Sequence, residues 1–287
     1  MTVAGIDAST YNPWMQHISE SWLRLGFFLG LWSLLAIAEA LWPRQRGRAQ
    51  RLRRWSANLG MAVVDTLAVR LLLPWAAVAA SVWAQAHRIG LLSVLPLPSI
   101  AAWTVTLLTL DLVIYGQHRL MHRWEPLWRL HRVHHTDLAL DTSSALRFHP
   151  VEILLSMGIK IAAVLALGAP AGAVLTFEIL LNGLAMFNHA NLALPVRVDR
   201  VLRWVLVTPD MHRIHHRPAS SEHDRNYGFN LTWWDRLFGS YRDQPGAPQE
   251  TMTLGLDEFR SKADQGLGAL LLQPLRKGVR QSPLSAR

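Results

Sequence analysis

Apolar runs of membrane-spanning length, charges confined between them, and three tight histidine motifs predict an all-α fold: an integral membrane helical bundle with a cytoplasmic, histidine-rich helical cap. Of 287 residues, 51% are hydrophobic and only 17% charged, with 13 tryptophans. A mean hydropathy of +0.15 is low for spans alone, so polar mass is expected outside the bilayer. The net charge of +9 raises nucleic acid as a partner. The basic residues alternate with long apolar runs, however, as membrane-surface anchors do, and no nucleic-acid partner is expected. With no cysteine, disulfides, thiolate metal sites and cysteine nucleophiles are excluded.

The first run, Leu25 to Trp42, would rise about 27 Å as a helix, close to the hydrocarbon thickness. No basic segment or small-residue cleavage site precedes it, so this span is expected to stay in the mature protein. Six arginines follow between Arg44 and Arg54, against Arg24 alone before it. That bias places residues 1–24 on the non-cytoplasmic side and a basic loop, 43–56, in the cytoplasm. A second run covers Ala57 to Ala84, where Asp65 and Arg70 are expected to face the protein interior. The third, Ile100 to Gln117, completes the spans of region 25–117 and ends at a histidine. Val151 to Leu167 and Ala173 to Phe187, joined by GAPAG, form a membrane hairpin over 151–187, with Lys160 and Glu178 inside it. The chain after Asn188 is then cytoplasmic, and residues 242–287 form a polar tail in which GLGALLLQPL reads as a short amphipathic segment. Charge and length alone thus bring every histidine motif to one membrane face.

Ten of 13 histidines lie between His118 and His216. Eight fall in three motifs: His118 and His122; His131, His134 and His135; His212, His215 and His216. Spacings of three and four place side chains on one helical face, so each motif can aim imidazoles at a common point. Neutral imidazole suits iron, zinc and copper, and eight buried imidazoles without a metal would repel or lose hydrogen bonds. Eight ligands exceed one ion, so the cap is expected to hold a dimetal site. HExxH and paired Glu-x-x-His motifs are lacking, which disfavours a zinc peptidase and a carboxylate-bridged bundle. His189 follows the hairpin and is expected as a ninth ligand. His149 precedes it, as ligand, supporting group or helix-start residue. His17 and His87 read as ordinary surface or satisfied core residues, and His223 as a surface or entrance residue.

The segments DLVIYGQHRLMH, HRVHH, RFHP, NHAN, MHRIHH and NYGFNLTWWDRLFGSY resemble the fatty acid hydroxylase and sterol desaturase superfamily of membrane di-iron enzymes, over roughly Asp111 to Tyr241. The resemblance implies a catalytic region at 118–241, with two iron ions (Fe2+/Fe3+) held by the eight motif histidines and O2 as co-substrate. Zinc could take iron's place in purified protein. It further implies hydroxylation or desaturation of a lipid such as a fatty acyl chain or sterol. Electrons would come from a separate donor, a reductase with ferredoxin or cytochrome. Asp111, Asp141, Asn188, Asn226 and Asp235 are expected to orient imidazoles or to cap local turns. Trp103, Trp128, Trp204, Trp233 and Trp234 read as interface anchors or passage walls. Arg119, Arg132 and Arg213 could contact phosphate head groups or an acidic electron donor, but each reads first as a solvated, snorkelling side chain. A bacterial inner membrane or endoplasmic reticulum fits the charge bias. The rival readings are a zinc-dependent non-redox membrane enzyme, without need of O2, and a histidine-based metal transporter, which needs polar residues through several spans.

Overall fold

The computed structural model describes residues 13–46, 51–73, 76–95 and 97–278, with side chains described from Ser21 onward. The expected all-α architecture is found, and no strand occurs among the described residues beyond two isolated bridges, Pro43 to Leu192 and Leu206 to Leu231. The long helices are α1 (Pro13–Leu41), α2 (Arg51–Leu72), α5 (Ser99–Arg123), α7 (Pro150–Leu167) and α8 (Ala171–His189). Two short helices, α3 (Ala77–Ala86) and α4 (Leu91–Val94), link α2 to α5. Five segments are long and apolar enough to cross a membrane: Ser21–Leu41, Arg51–Val94, Ser99–Arg123, Pro150–Leu167 and Ala171–His189. They make the chain a multi-pass membrane protein by length and composition. Their outward residues, among them Leu34, Val63, Leu71 and Ile100, are more than half exposed. Lipid satisfies such surfaces, whereas water would not.

The spans pack through small and branched residues. Ala77, Leu110, Ile114, Val164, Val174 and Phe177 form one buried cluster joining α3, α5, α7 and α8. The hairpin turns at Gly168, whose φ of +66° closes α7 in the left-handed conformation that glycine adopts without strain. Inside the bundle, Glu178 accepts from Lys160 at 2.8 Å and from Arg24 at 2.6 Å, so the two charges expected within the hairpin meet each other. Asp65 is buried as expected, but Arg70 is exposed. An offset of five residues is not a spacing that puts both on one helical face.

The cap consists of α6 (Glu125–His135), α9 (Val196–Leu202), α10 (Pro209–His215), α11 (Ser220–His223), α12 (Trp233–Leu237) and α13 (Leu267–Leu272). The described parts of the basic segment 43–56 are not a free loop. Its last part is the first turn and a half of α2, and two of its arginines turn inward. Arg54 is buried and donates to both oxygens of Asp137, at 2.6 and 2.8 Å, and to Asp141 at 2.7 Å. Arg44 grips Asp210 of α10 with two of its nitrogens. Carboxylates far along the chain capture these cations, which desolvated guanidinium accepts when geometry is bidentate. The segment after 242 also packs inward, burying Met252, Leu254, Phe259 and Leu270, and Gly255 donates its N–H to the His216 carbonyl at 3.1 Å. The amphipathic segment expected near the end is α13. Leu270 joins the core with Met61 of α2 and Val133 of α6, while Leu272 stays exposed.

Candidate metal centre

Histidine spacing translates directly into geometry. Helix α5 runs past Gln117 to Arg123, so His118 and His122 occupy its last turns on the buried face. The motif His131, His134 and His135 forms the last turn of α6, and His212 and His215 sit on α10, with His216 as its C-terminal cap. His189 is the last residue of α8. All nine histidines are at most 2% exposed. They converge into two groups: His118, His122, His131, His135 and His215, and then His134, His189, His212 and His216. Within each group the ligand nitrogens all lie within 4.8 Å of one another.

The hydrogen bonds of the outer ring nitrogens set the direction of the inner ones. A carbonyl oxygen can only accept, so His118, His189 and His215 carry their proton on Nδ1, donating to Tyr227, Ala185 and Arg225 at 2.7 Å each. His131 Nδ1 donates to the Glu152 carboxylate at 2.7 Å. In neutral imidazoles the Nε2 atoms of these residues are then bare lone pairs. Yet His118 Nε2 lies 3.0 Å from His131 Nε2 and 3.1 Å from His215 Nε2. Lone pairs facing at that distance repel, and a shared cation turns the repulsion into coordination. In the second group, His189 Nε2 meets His134 and His212 at 3.0 Å each, although one lone pair accepts only one hydrogen. Both ring nitrogens of His135 are buried without a hydrogen-bond partner. The residues present therefore fit two metal ions.

Electrostatics agree. Burial pushes His131 down to about 3. Burial, and then the neighbouring imidazoles, holds His134, His135, His212 and His216 well below their usual value, and burial with His118 does so for His215. All are neutral at physiological pH, as metal ligation requires. Aromatic rings close the cage against water. Phe148 stacks on His134 at 4.4 Å, Phe229 meets His118 edge-on at 5.0 Å, and Trp128 packs against His122 and His135.

The remaining sequence expectations divide. His149 caps α7, its Nδ1 accepting from Val151 N–H, while its Nε2 donates to the Leu271 carbonyl at 3.1 Å, so it is the helix-start residue. Asp111 accepts from Trp234 Nε1 at 2.7 Å, and Asn188 donates to the Phe229 carbonyl at 2.9 Å. Asp235 accepts from the N–H groups of Tyr227 and Gly228, and Asn226 donates to the Met211 and Arg242 carbonyls. Asp141 holds Arg54 and caps the turn Thr142–Leu146. These five side chains hold the backbone around the cage; Asp235, for instance, fixes the residue whose carbonyl takes the His118 proton.

The partners that orient imidazoles are Glu152 and three backbone carbonyls, with Asp224 a further carboxylate 3.4 Å from His122 Nδ1; sequence reading missed them. Only the position of Glu152, three residues after His149 at the helix start, hinted at it. Arg132 and Arg213 are buried, against the expectation of solvated side chains. Arg132 donates to the carbonyls of Gln273 and Arg276, and burial lowers the Arg213 guanidinium to about 10. Arg119 is half-buried. Trp103, Trp204 and Trp233 are exposed as anchors are, whereas Trp128 is buried in the cage wall. His223 stacks on Trp128 at 5.5 Å. His87 is exposed, and the side chain of His17 lies outside those described.

Residues 103–240 match the family model for fatty acid hydroxylase. The chain is 31% identical over 169 residues to ornithine lipid hydroxylase OlsE of Rhizobium tropici, covering 58% of this chain and 49% of that protein. It is 32% identical over 161 residues to alkylglycerol monooxygenase of Danio rerio (56% and 34% covered). To the Homo sapiens alkylglycerol monooxygenase it is 29% identical over 163 residues (56% and 34%). The aligned part thus spans about half or a third of the length of these curated relatives. No solved structure matches. The nine converging histidines all fall inside residues 103–240, the stretch that matches the fatty acid hydroxylase family model.

Proposed function

We propose that the chain is a membrane-bound di-iron monooxygenase that hydroxylates a lipid with O2 and externally supplied electrons. The observation that carries this reading is the pair of buried, neutral imidazole groups at the ends of α5 and α8. Relatives named for hydroxylation of ornithine lipid and monooxygenation of alkylglycerol support a lipid substrate and favour hydroxylation over desaturation.

His118, His122, His131, His135 and His215 would hold one iron, and His134, His189, His212 and His216 the other. Bound iron would supply O2 activation for breaking an unactivated C–H bond, which no amino-acid side chain does unaided. The chain's own residues supply order. Glu152 and the carbonyls of Tyr227, Ala185 and Arg225 fix four imidazoles in the tautomer that presents Nε2 inward. Phe148, Phe229 and Trp128 exclude water from the cage. The arginine-rich segment after α1 supports a cytoplasmic position for the centre, in a bacterial inner membrane or endoplasmic reticulum. A separate reductase with ferredoxin or cytochrome would reach it from that side. The histidines gather at one end of the bundle, which speaks against a transport path.

The test is metal analysis with Mössbauer spectroscopy on protein made in iron-supplemented, low-zinc medium, followed by product analysis of lipid incubated under 18O2 with a reductase. Two coupled irons and 18O in a lipid hydroxyl support the proposal. Firmly bound zinc, with turnover independent of O2, would replace it with the non-redox reading.

A further inference from the structure

Beyond the catalytic centre, the cap carries an unpartnered apolar face. On α9 and the residues after it, Val196, Val201 and Trp204 are 65–68% exposed; on α12, Trp233 and Leu237 are 44% and 69% exposed. The two short helices are stapled into one surface. Trp233 Nε1 donates to the Trp204 carbonyl at 3.0 Å, Thr232 N–H to the Val205 carbonyl at 3.0 Å, and Arg236 lies over the Trp204 ring.

The charges on this surface are sorted. The segments 195–205 and 231–239 contain two acidic residues, Asp199 and Asp235, and both point inward. Asp199 pairs with Arg203 at 2.8 Å, and Asp235 accepts from the backbone of Tyr227 and Gly228. Arg197, Arg200 and Arg236 remain exposed beside the apolar residues. The acidic side chains nearest this face, Asp243 and Glu250, belong to the following segment and pair with Arg203 and Arg44. An apolar face whose own exposed charges are all arginines is complementary to acyl chains beneath a layer of phosphates.

The surface also runs into the membrane-spanning part of the protein. Trp234 donates to Asp111 of α5 at 2.7 Å, and Phe238 stacks on Tyr115, one turn further along α5, at 5.5 Å. Asp111 lies seven residues before His118, about 10 Å along the helix axis away from the metal end. Helix α12 is thus bound to the flank of a span on the bilayer side of the cage. We infer that α9 and α12 form an in-plane platform embedded in one lipid leaflet, its valines, tryptophans and Leu237 among acyl chains and its arginines at the phosphates. This rests on α5 crossing the membrane, and it places part of the chain after Asn188 in the leaflet instead of in solution.

The natural sequence lacks cysteine, so single labels can be placed cleanly. Nitroxide labels at Val201→Cys and Leu237→Cys, in full-length metal-loaded protein in phosphatidylcholine and phosphatidylglycerol nanodiscs, report collision with O2 against a water-soluble nickel chelate. Val63→Cys on α2 and Leu180→Cys on α8 are span controls, and Thr253→Cys is the water control; all three positions are exposed. The platform predicts O2 over nickel at 201 and 237, as at 63 and 180, and the inverse at 253. Nickel access at 201 and 237, with 63 and 180 shielded, overturns the platform while leaving the spans intact. Exclusion of both reagents at 201 and 237 means that another protein surface, such as a second copy, covers the face, and also overturns it. Nickel access at 63 and 180 overturns the membrane reading itself.

Discussion

Replacing Glu152 separates a residue that orients a ligand from one that is a ligand. Its carboxylate accepts the Nδ1 proton of His131 at 2.7 Å, with both side chains at most 4% exposed. A hydrogen bond to a charged acceptor contributes about 1.5–3 kcal/mol and a neutral one about 0.5–1.5, so Glu152→Gln should lose roughly 1–1.5 kcal/mol. That corresponds to about tenfold in metal affinity at ~1.4 kcal/mol per decade. Glu152→Ala also leaves His131 Nδ1 buried without an acceptor, a further ~1–3 kcal/mol, taking the loss to about 100-fold. Chelator competition on purified, metal-loaded protein in nanodiscs measures both constants, with thermal unfolding of each variant as a check on folding. Unchanged affinity in Glu152→Ala would refute the orienting role. Equal losses in the Gln and Ala variants, with one metal gone entirely, would make Glu152 itself a ligand.

Other consequences are equally direct. His122→Ala and His134→Ala each remove an imidazole from a different group, so each variant should lose metal from one centre and retain it in the other, read by elemental analysis and Mössbauer spectroscopy. Arg54→Met leaves Asp137 and Asp141 buried without their guanidinium, and it should destabilise the protein by about 3–5 kcal/mol. Thermal unfolding in nanodiscs measures that loss, and adding Asp137→Asn should recover part of it; no change in either variant would contradict the bracket. Stripping metal with a chelator should lower the melting temperature, by an amount that grows with metal affinity, since only the folded cage binds tightly. Restoring iron should reverse the shift.

The parts legible in sequence were those that depend on local pattern. Apolar run length located the five spans, and spacings of three and four located the histidine faces, because both follow from helical periodicity. His189 was legible for a topological reason: a hairpin with so short a turn returns its end beside its start. Long-range ion pairing was not legible. Arg54 reads as one more basic residue in a topological signal, and its partners lie 83 and 87 residues away. The same holds for Arg132 and Arg213, which read as solvated, snorkelling side chains, whereas packing of the chain's last segment encloses Arg132. The support around the imidazoles escaped for another reason. Three of its acceptors are backbone carbonyls, and a carbonyl has no signature in the side-chain alphabet. Asp235 and Asn226 were read as possible orienting groups in their own right, and they act instead on the loop that presents two of those carbonyls.

The division of the nine histidines sends neighbours along the chain to different groups: in the proposed di-iron reading His135 and His215 would serve one centre, His134 and His216 the other. At the end of α6 and again at the end of α10, the bridge between the centres is therefore a single peptide unit. Consecutive α-carbons stand 3.8 Å apart whatever the surroundings do. A change in bilayer thickness that tilts α5 against α8 would reshape each cage through His118, His122 and His189. The gauge between the two centres is held at both places by covalent bonds, which the lipid cannot stretch.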